Sequence, residues 1–153
     1  MRDVALAWNP QTGTADLAMN ATGNDLLTDS GLTTSIIISL FTDRQSDPGE
    51  KIPDGSTDPR GWWGDTAFLQ PGDVAKYPIG SKLWLLDRAL QTQETLTRAT
   101  TYAKQALQWM IDDGVAGTVE ATATFPRLGW IELQVTIDQA GSLSTFNFAW
   151  ANS

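Results

Sequence analysis

Between Trp130 and Asp138 the sequence runs WIELQVTID, with Ile131, Leu133, Val135 and Ile137 at every second position and Trp130, Glu132, Gln134, Thr136 and Asp138 between them. Side chains leave a β-strand alternately to its two faces, so this segment has one aliphatic face that must be buried and one mostly polar face that need not be. A helix would scatter the same residues around its axis. A strand that is wet on one side belongs to an antiparallel sheet covered on the other. The bracketing turns Pro126-Arg127-Leu128-Gly129 and Gln139-Ala140-Gly141-Ser142 fit hairpin connections, and strand-forming runs flank them, which predicts a three-stranded meander over 117–150.

Something must cover the apolar face of that meander. Leu96, Ala99, Ala103, Ala106, Leu107 and Met110 recur at three and four residues, Thr92 can cap the run, and Gly114 suits the left-handed position just past its end. Ser81 can likewise cap KLWLLDRALQ, with Leu83, Leu86 and Leu90 on one face, so 81–113 reads as two helices. Upstream, Asp29 or Ser30 can cap a helix over 29–42 in which Leu32, Ile36, Leu40 and Ile37, Phe41 recur at four residues. Its β-branched run TTSIIIS suits a buried strand as well. In the N-terminal segment Val4, Leu6 and Trp8 alternate with Asp3, Ala5 and Ala7, and Leu17 and Met19 resume the period of two after Asn-Pro-Gln-Thr-Gly, giving a hairpin over 1–20. The expected fold is a single α+β domain over 1–153. In it a mainly antiparallel sheet, built from the hairpin and the meander, carries about three helices, and a long Pro/Gly-rich loop occupies the centre of the chain.

That loop, 43–80, holds five of the seven prolines and six of the thirteen glycines and sustains no period. A stretch of this length without regular structure is rare in a compact domain unless its own side chains tie it down or it has work to do. Within it stand Trp62 and Trp63, in DPRGWWGD. Each indole can bury on the order of 200 Å², so the pair is expected to anchor the loop either to this domain or to a partner. In an extended segment the two rings would point to opposite sides, one inward and one outward.

Composition narrows the chemistry. The chain has no cysteine and no histidine, which leaves oxygen ligands alone for a metal and excludes Ser-His and Cys-His nucleophile pairs. A net charge of -8 argues against nucleic acid and anionic membranes as partners, since both are bound by neutralising phosphate. The segment MRDVALAWNP meets an acid before any apolar run, so no secretion signal is expected. The loop carries seven acids, Asp43, Asp47, Glu50, Asp54, Asp58, Asp65 and Asp73, of which a pair could serve a glycosidase. Solvation and pairing with Arg44, Lys51 and Arg60 is the simpler use. Asp54, Ser56, Asp58 and Asp65 fall at calcium-loop spacing, but Pro59 occupies the position that needs glycine. Neither a metal nor a cofactor is expected. Trp84, Trp109 and Trp130 are expected to pack. The last strand places Phe146, Phe148 and Trp150 on one face and is expected at a sheet edge, where a partner could add a strand beside Thr145, Asn147 and Ala149.

The strings LTTSIIISLFTDRQ, DPRGWWGD, GSKLWLLDRALQT and ALQWMIDDGVA together resemble the Mu-like phage baseplate proteins, a family related to the wedge and sheath-initiator proteins of contractile tails. The resemblance spans nearly the whole chain. It implies a structural, non-enzymatic subunit of the virion, assembled in the host cytoplasm and repeated around a sixfold baseplate. Its implied partners are baseplate wedge proteins and the tail sheath protein, with hub or tube proteins as further neighbours, and its implied mode of contact is strand exchange. Wider relatives carry a lysozyme label, which keeps a peptidoglycan-cleaving enzyme in view, and exposed tryptophans keep a carbohydrate-binding module in view. Where those relatives tend to have Glu-Pro-Arg after the long helix, this chain has Asp112-Asp113-Gly114-Val115, so contacts made by that signature are not carried over. The residues expected at a partner interface are Arg60, Trp62, Trp63, Asp65, Thr145, Asn147, Ala149 and Trp150.

Overall fold

A computed structural model describes residues 3–19, 22–23, 26, 28–29, 32–67 and 78–152. The element order is β1 (Asp3–Val4), β2 (Leu6–Asn9), β3 (Thr14–Leu17), β4 (Thr28–Asp29), α1 (Thr33–Phe41), α2 (Trp63–Thr66), a 3-10 turn (Leu83–Leu86), α3 (Gln93–Asp112), β5 (Thr118–Thr124), β6 (Trp130–Gln139) and β7 (Ser142–Ala151). The fold is α+β. Its main sheet is the antiparallel meander β5-β6-β7, with β6 central, accompanied by the two-stranded pairs β2-β3 and β1-β4.

The alternation in β6 does what its period requires. Ile131, Leu133, Val135 and Ile137 are buried, and the register Leu133↔Phe148 and Ala121↔Val135 continues one apolar face across all three strands. The helix lying on this face, α3, presents Ala99, Ala103, Ala106, Leu107 and Met110 to it, while β5 offers Val119, Ala121 and Ala123 in return. Small side chains on both partners let helix and strand approach closely and fill the gap at interior density. Thr92 caps α3 by accepting the Thr95 N–H at 3.3 Å.

The ambiguous TTSIIIS run folds as helix α1, whose Ile36, Ile37 and Leu40 complete the core. Neither expected cap begins it. Asp29 is taken up by pairing with Asp3, Ser30 lies outside the described residues, and Leu32 occupies the cap position without a side-chain bond. The hairpin secures this end of α1 instead, since Thr34 Oγ1 accepts the Leu6 N–H at 3.1 Å and donates to the Val4 carbonyl at 3.2 Å. Trp8 then stacks on Phe41 at 3.7 Å, and Phe41 meets Phe148 and Trp150 edge-on at 5.6 and 5.5 Å.

The expected helix from Ser81 is a single 3-10 turn. Leu83, Trp84, Leu85 and Leu86 are all buried, which an amphipathic helix on a surface cannot achieve, and Arg88 then takes a positive φ of 61° that turns the chain away. Leu90, expected on the apolar face, is exposed.

The chain leaves the fold at Asp43 and re-enters it at Ser81 side by side. Asp43 pairs with Ser81 as a parallel bridge, the Arg44 N–H donates to the Ser81 carbonyl at 2.9 Å, and the Ser81 N–H donates to the Thr42 carbonyl at 2.9 Å. Gly80 permits this closure, because its φ is +91° and a Cβ there would stand 2.2 Å from the Thr42 carbonyl oxygen.

A pinned tryptophan loop and an open strand edge

The loop between Asp43 and Ala67 is built from local turns closed by its own polar side chains. Asp54 Oδ1 accepts the Ser56 N–H at 2.9 Å, Asp58 Oδ1 accepts the Arg60 N–H at 2.9 Å, and Glu50 Oε2 accepts the Asp47 N–H at 2.6 Å. The Ser56 N–H and hydroxyl hold the Asp54 carboxyl below its usual value, the opposite of what a general acid needs. The candidate calcium ligands Asp54 and Asp58 are therefore engaged in turning the backbone. Asp87, which does not line the hollow described below, is pushed up by burial, against the opposing charge of Arg60.

Two longer ties fix the loop to the domain, and a third joins it to its own returning end. Lys82 extends its ammonium to Asp47 at 2.5 Å and Glu50 at 3.1 Å, with 6% of its side chain exposed. Burial pulls this ammonium down, but the hydrogen bonds and charges of the two acids together outweigh it and hold its pKa above the ordinary lysine value. Arg60, at a φ of 53°, donates through Nη1 to Asp43 Oδ2 at 2.9 Å and lies over the Trp84 ring at 4.4 Å. That left-handed backbone is unfavourable for a residue with a Cβ, and these contacts offset it. Trp84 in turn is buried and donates its indole N–H to the Arg44 carbonyl at 2.8 Å. The third tie is Asp65, whose carboxylate accepts the Ile79 N–H at 3.1 and 3.2 Å.

On this frame Trp62 and Trp63 do not diverge. Trp62 ends the extended approach and Trp63 begins the one-turn helix α2, which brings the ring centroids to 5.4 Å. The expectation of rings on opposite sides assumed a continuous extended backbone, and the change of conformation between the two residues removes it. Trp62 is 41% exposed and Trp63 75%. The Trp62 ring lies on the backbone of Gly64, where a Cβ would come within 2.1 to 2.6 Å of three ring carbons. Gly61, at φ +110°, supplies the sharp turn ahead of the pair; Gly64 is glycine because the ring needs the space. Trp62, Trp63, Arg60 and Asp65 all line one hollow of about 810 Å³, together with Asp47, Glu50 and Lys82.

The other four expected residues belong to β7. Trp150 faces inward and is buried against Phe41, so its side chain serves the core rather than a surface. Thr145, Asn147 and Ala149 face outward, where Thr145 pairs with Thr136 at 3.3 Å between hydroxyls and Asn147 with Gln134 at 3.2 Å. Their backbone direction follows from a tie that alternation and spacing did not reveal. The Trp8 indole N–H donates to the Ala149 carbonyl at 2.8 Å, so at Ala149 the backbone points away from β6. In an antiparallel pair the residues of a strand alternate between facing the partner and facing away. Leu143, Thr145 and Asn147 therefore present their N–H and C=O groups to the same free edge as Ala149. The hairpin closes that edge at Ala149. Among the described residues, none bonds to the backbone of Leu143, Thr145 or Asn147 along it.

Sequence reading located the tryptophan pair and the outward positions of β7 but missed Lys82, Trp84 and Trp8. Lys82 and Trp84 stand in a segment that read as a helix, where Trp84 was expected only to pack, and Trp8 read only as one position in the alternation of the hairpin. Their partners are 35, 40 and 141 residues away in the chain, beyond any local signal.

A family model described as phage protein GP46 matches residues 32–143. Over 149 residues the chain is 40% identical to the baseplate protein gp46 of Escherichia phage Mu, covering 97% of this chain and 95% of the relative. It is also 40% identical over 154 residues to the Mu-like prophage FluMu protein gp46 of Haemophilus influenzae, covering 99% of both. The matched span contains the whole pinned loop; Thr145, Asn147 and Ala149 follow it.

Proposed function

The chain belongs to the Mu-like phage baseplate family described as phage protein GP46, and from that membership we propose that it is a structural component of a contractile-tail baseplate in the virion. It binds wedge proteins through the pinned tryptophan loop and nucleates the sheath by accepting a strand along β7, with copies repeated around the sixfold axis. The observation that carries this reading is Trp63, 75% exposed on a loop held by Lys82, Arg60 and Asp65. An exposed indole on a braced backbone loses less entropy when a partner covers it than one on a slack loop, the property of a binding hot spot. The β7 edge supports the second contact. An unpaired edge invites a further strand, and Leu143, Thr145 and Asn147 provide groups that no described residue pairs. A reading as a cell-wall hydrolase has less to stand on, because Asp54, Asp58, Glu50 and Asp65 each commit at least one oxygen to a backbone N–H group of the loop.

Proline tests the edge. At Thr145 or Asn147 it removes an N–H that makes no ladder bond, so the isolated protein should keep its fold and its unfolding midpoint within a few degrees. The particle should then assemble a baseplate but fail to start a sheath. Sheath formation at the normal level with either proline in place would refute the docking edge. Unfolding caused by both would show that β7 is paired on both sides.

A further inference from the structure

A second hollow, of about 620 Å³, shares Trp62, Asp65 and Arg44 with the first but opens between α1, α3 and the returning end of the loop. Three large apolar side chains from three different elements meet around it half-exposed: Ile38 at 39%, Trp62 at 41% and Trp109 at 37%. Trp109 is not free to turn away from it. Its indole N–H donates to Ser39 Oγ at 3.0 Å, and that hydroxyl donates to the Ser35 carbonyl at 2.8 Å, so the ring is held across α1. Apolar groups gathered at one concave place, rather than scattered singly, mark a contact surface.

The charge around the hollow specifies the contact further. The long helix α3 ends here with no basic residue in its last turn, with Asp112 in that turn and Asp113 as its C-cap. The carbonyl end of a helix is its negative end, so acids placed there work against the helix, and a cation supplied from outside would relieve them. Arg44, the basic residue that lines the hollow, is already engaged, its Nη2 donating to the Pro78 carbonyl at 2.9 Å. Asp112 contributes Oδ1 to Gln108 Nε2 at 3.1 Å, which leaves Oδ2 to meet another partner.

We propose that the α1–α3 hollow receives an arginine-bearing, otherwise apolar segment of a partner protein. The guanidinium lies against the Trp109 face and forks toward Asp112, while its apolar neighbours cover Ile38 and Trp62. A planar cation suits this place better than an ammonium, because it stacks on an aromatic ring and bonds a carboxylate in the same plane. The proposal rests on the scaffold reading in taking the occupant to be a protein, but it uses neither Trp63 nor the β7 edge.

The test is a titration of the full ¹⁵N-labelled chain with N-acetyl-Leu-Arg-Leu-amide, following the indole N–H signals of Trp62 and Trp109, with the Leu-Gln-Leu peptide in parallel. Both signals should shift and saturate with the arginine peptide, more weakly as salt rises. Asp112→Asn should weaken the binding about threefold to fivefold, the scale of one exposed charge pair. Ile38→Asp should abolish it, with the remaining amide signals undisturbed as the check of folding. Equal binding of the glutamine peptide, or no movement of the Trp109 signal, overturns the proposal. Shifts of the same signals on simple concentration of the chain, without peptide, would assign the hollow to a second copy and overturn it too. The titration needs no particle, so its failure would leave the Thr145→Pro and Asn147→Pro outcomes standing, and the reverse holds.

Discussion

The adjacent rings of Trp62 and Trp63 have separable jobs, and single substitutions divide them. Trp62 covers the Gly64 backbone and is more than half buried, so Trp62→Ala should cost the isolated protein about 1–2 kcal/mol, less than a fully buried aromatic. Trp63 is largely in water, and Trp63→Ala should change stability by no more than about 0.5 kcal/mol while weakening incorporation into the baseplate by about 2 kcal/mol. Unfolding of each isolated mutant, set beside its incorporation, checks both figures. Equal loss of stability in the two would remove the functional claim for Trp63. Gly64→Ala makes a sharper case, because alanine is the better helix former and yet should destabilise. Its methyl would occupy the space of the Trp62 ring, at a cost of about 1–3 kcal/mol, visible as a lower unfolding midpoint and a changed tryptophan fluorescence.

At the scale of elements, the loop is gathered by Lys82. Lys82→Met keeps the buried stem and removes the charge that gathers Asp47 and Glu50, and with one acid well exposed the loss should be about 1 kcal/mol. The Lys82 pKa is higher in the folded protein than in the unfolded chain, so its contribution is complete below the unfolded value and is lost as pH rises through the folded one. The stability difference between the parent protein and Lys82→Met should therefore stay level from neutral pH to about pH 10 and shrink above it, as denaturant unfolding across that range would show. How far sequence reading reaches is also plain at this scale. The meander and α3 were legible because their burial is periodic, with period two in β6 and three to four in α3. The turn at Leu83–Leu86 was not, because four consecutive buried residues carry no period and the capping Ser81 promised a helix. Within the site, the tryptophan pair stood out by composition. Its support did not, because Lys82 to Asp47, Arg60 to Trp84 and Trp8 to Ala149 are joined by the fold and not by spacing.

For the molecule as a whole, the scaffold reading makes a prediction about chemistry. Asp54→Asn and Asp58→Asn keep an oxygen able to accept the Ser56 and Arg60 N–H groups, so the loop should survive both changes. With Glu50→Gln and Asp65→Asn, tested one at a time in assembled particles, cell-wall cleavage should stay unchanged. A fall of about a hundredfold in any of them, the scale for losing a general acid or base, would move the chain to the hydrolases. The clamp at Thr42, Gly80 and Ser81 has one more consequence. The chain departs at Asp43 and returns at Ser81 through a single doorway beside Leu40, whose carbonyl accepts the Ser81 hydroxyl. Lengthening such an excursion costs little, since the entropy of closing a loop grows only with the logarithm of its length. The segment is in effect a cassette: its length and lettering can be rewritten to suit a different neighbour while the meander and its two helices keep the same sequence and the same core.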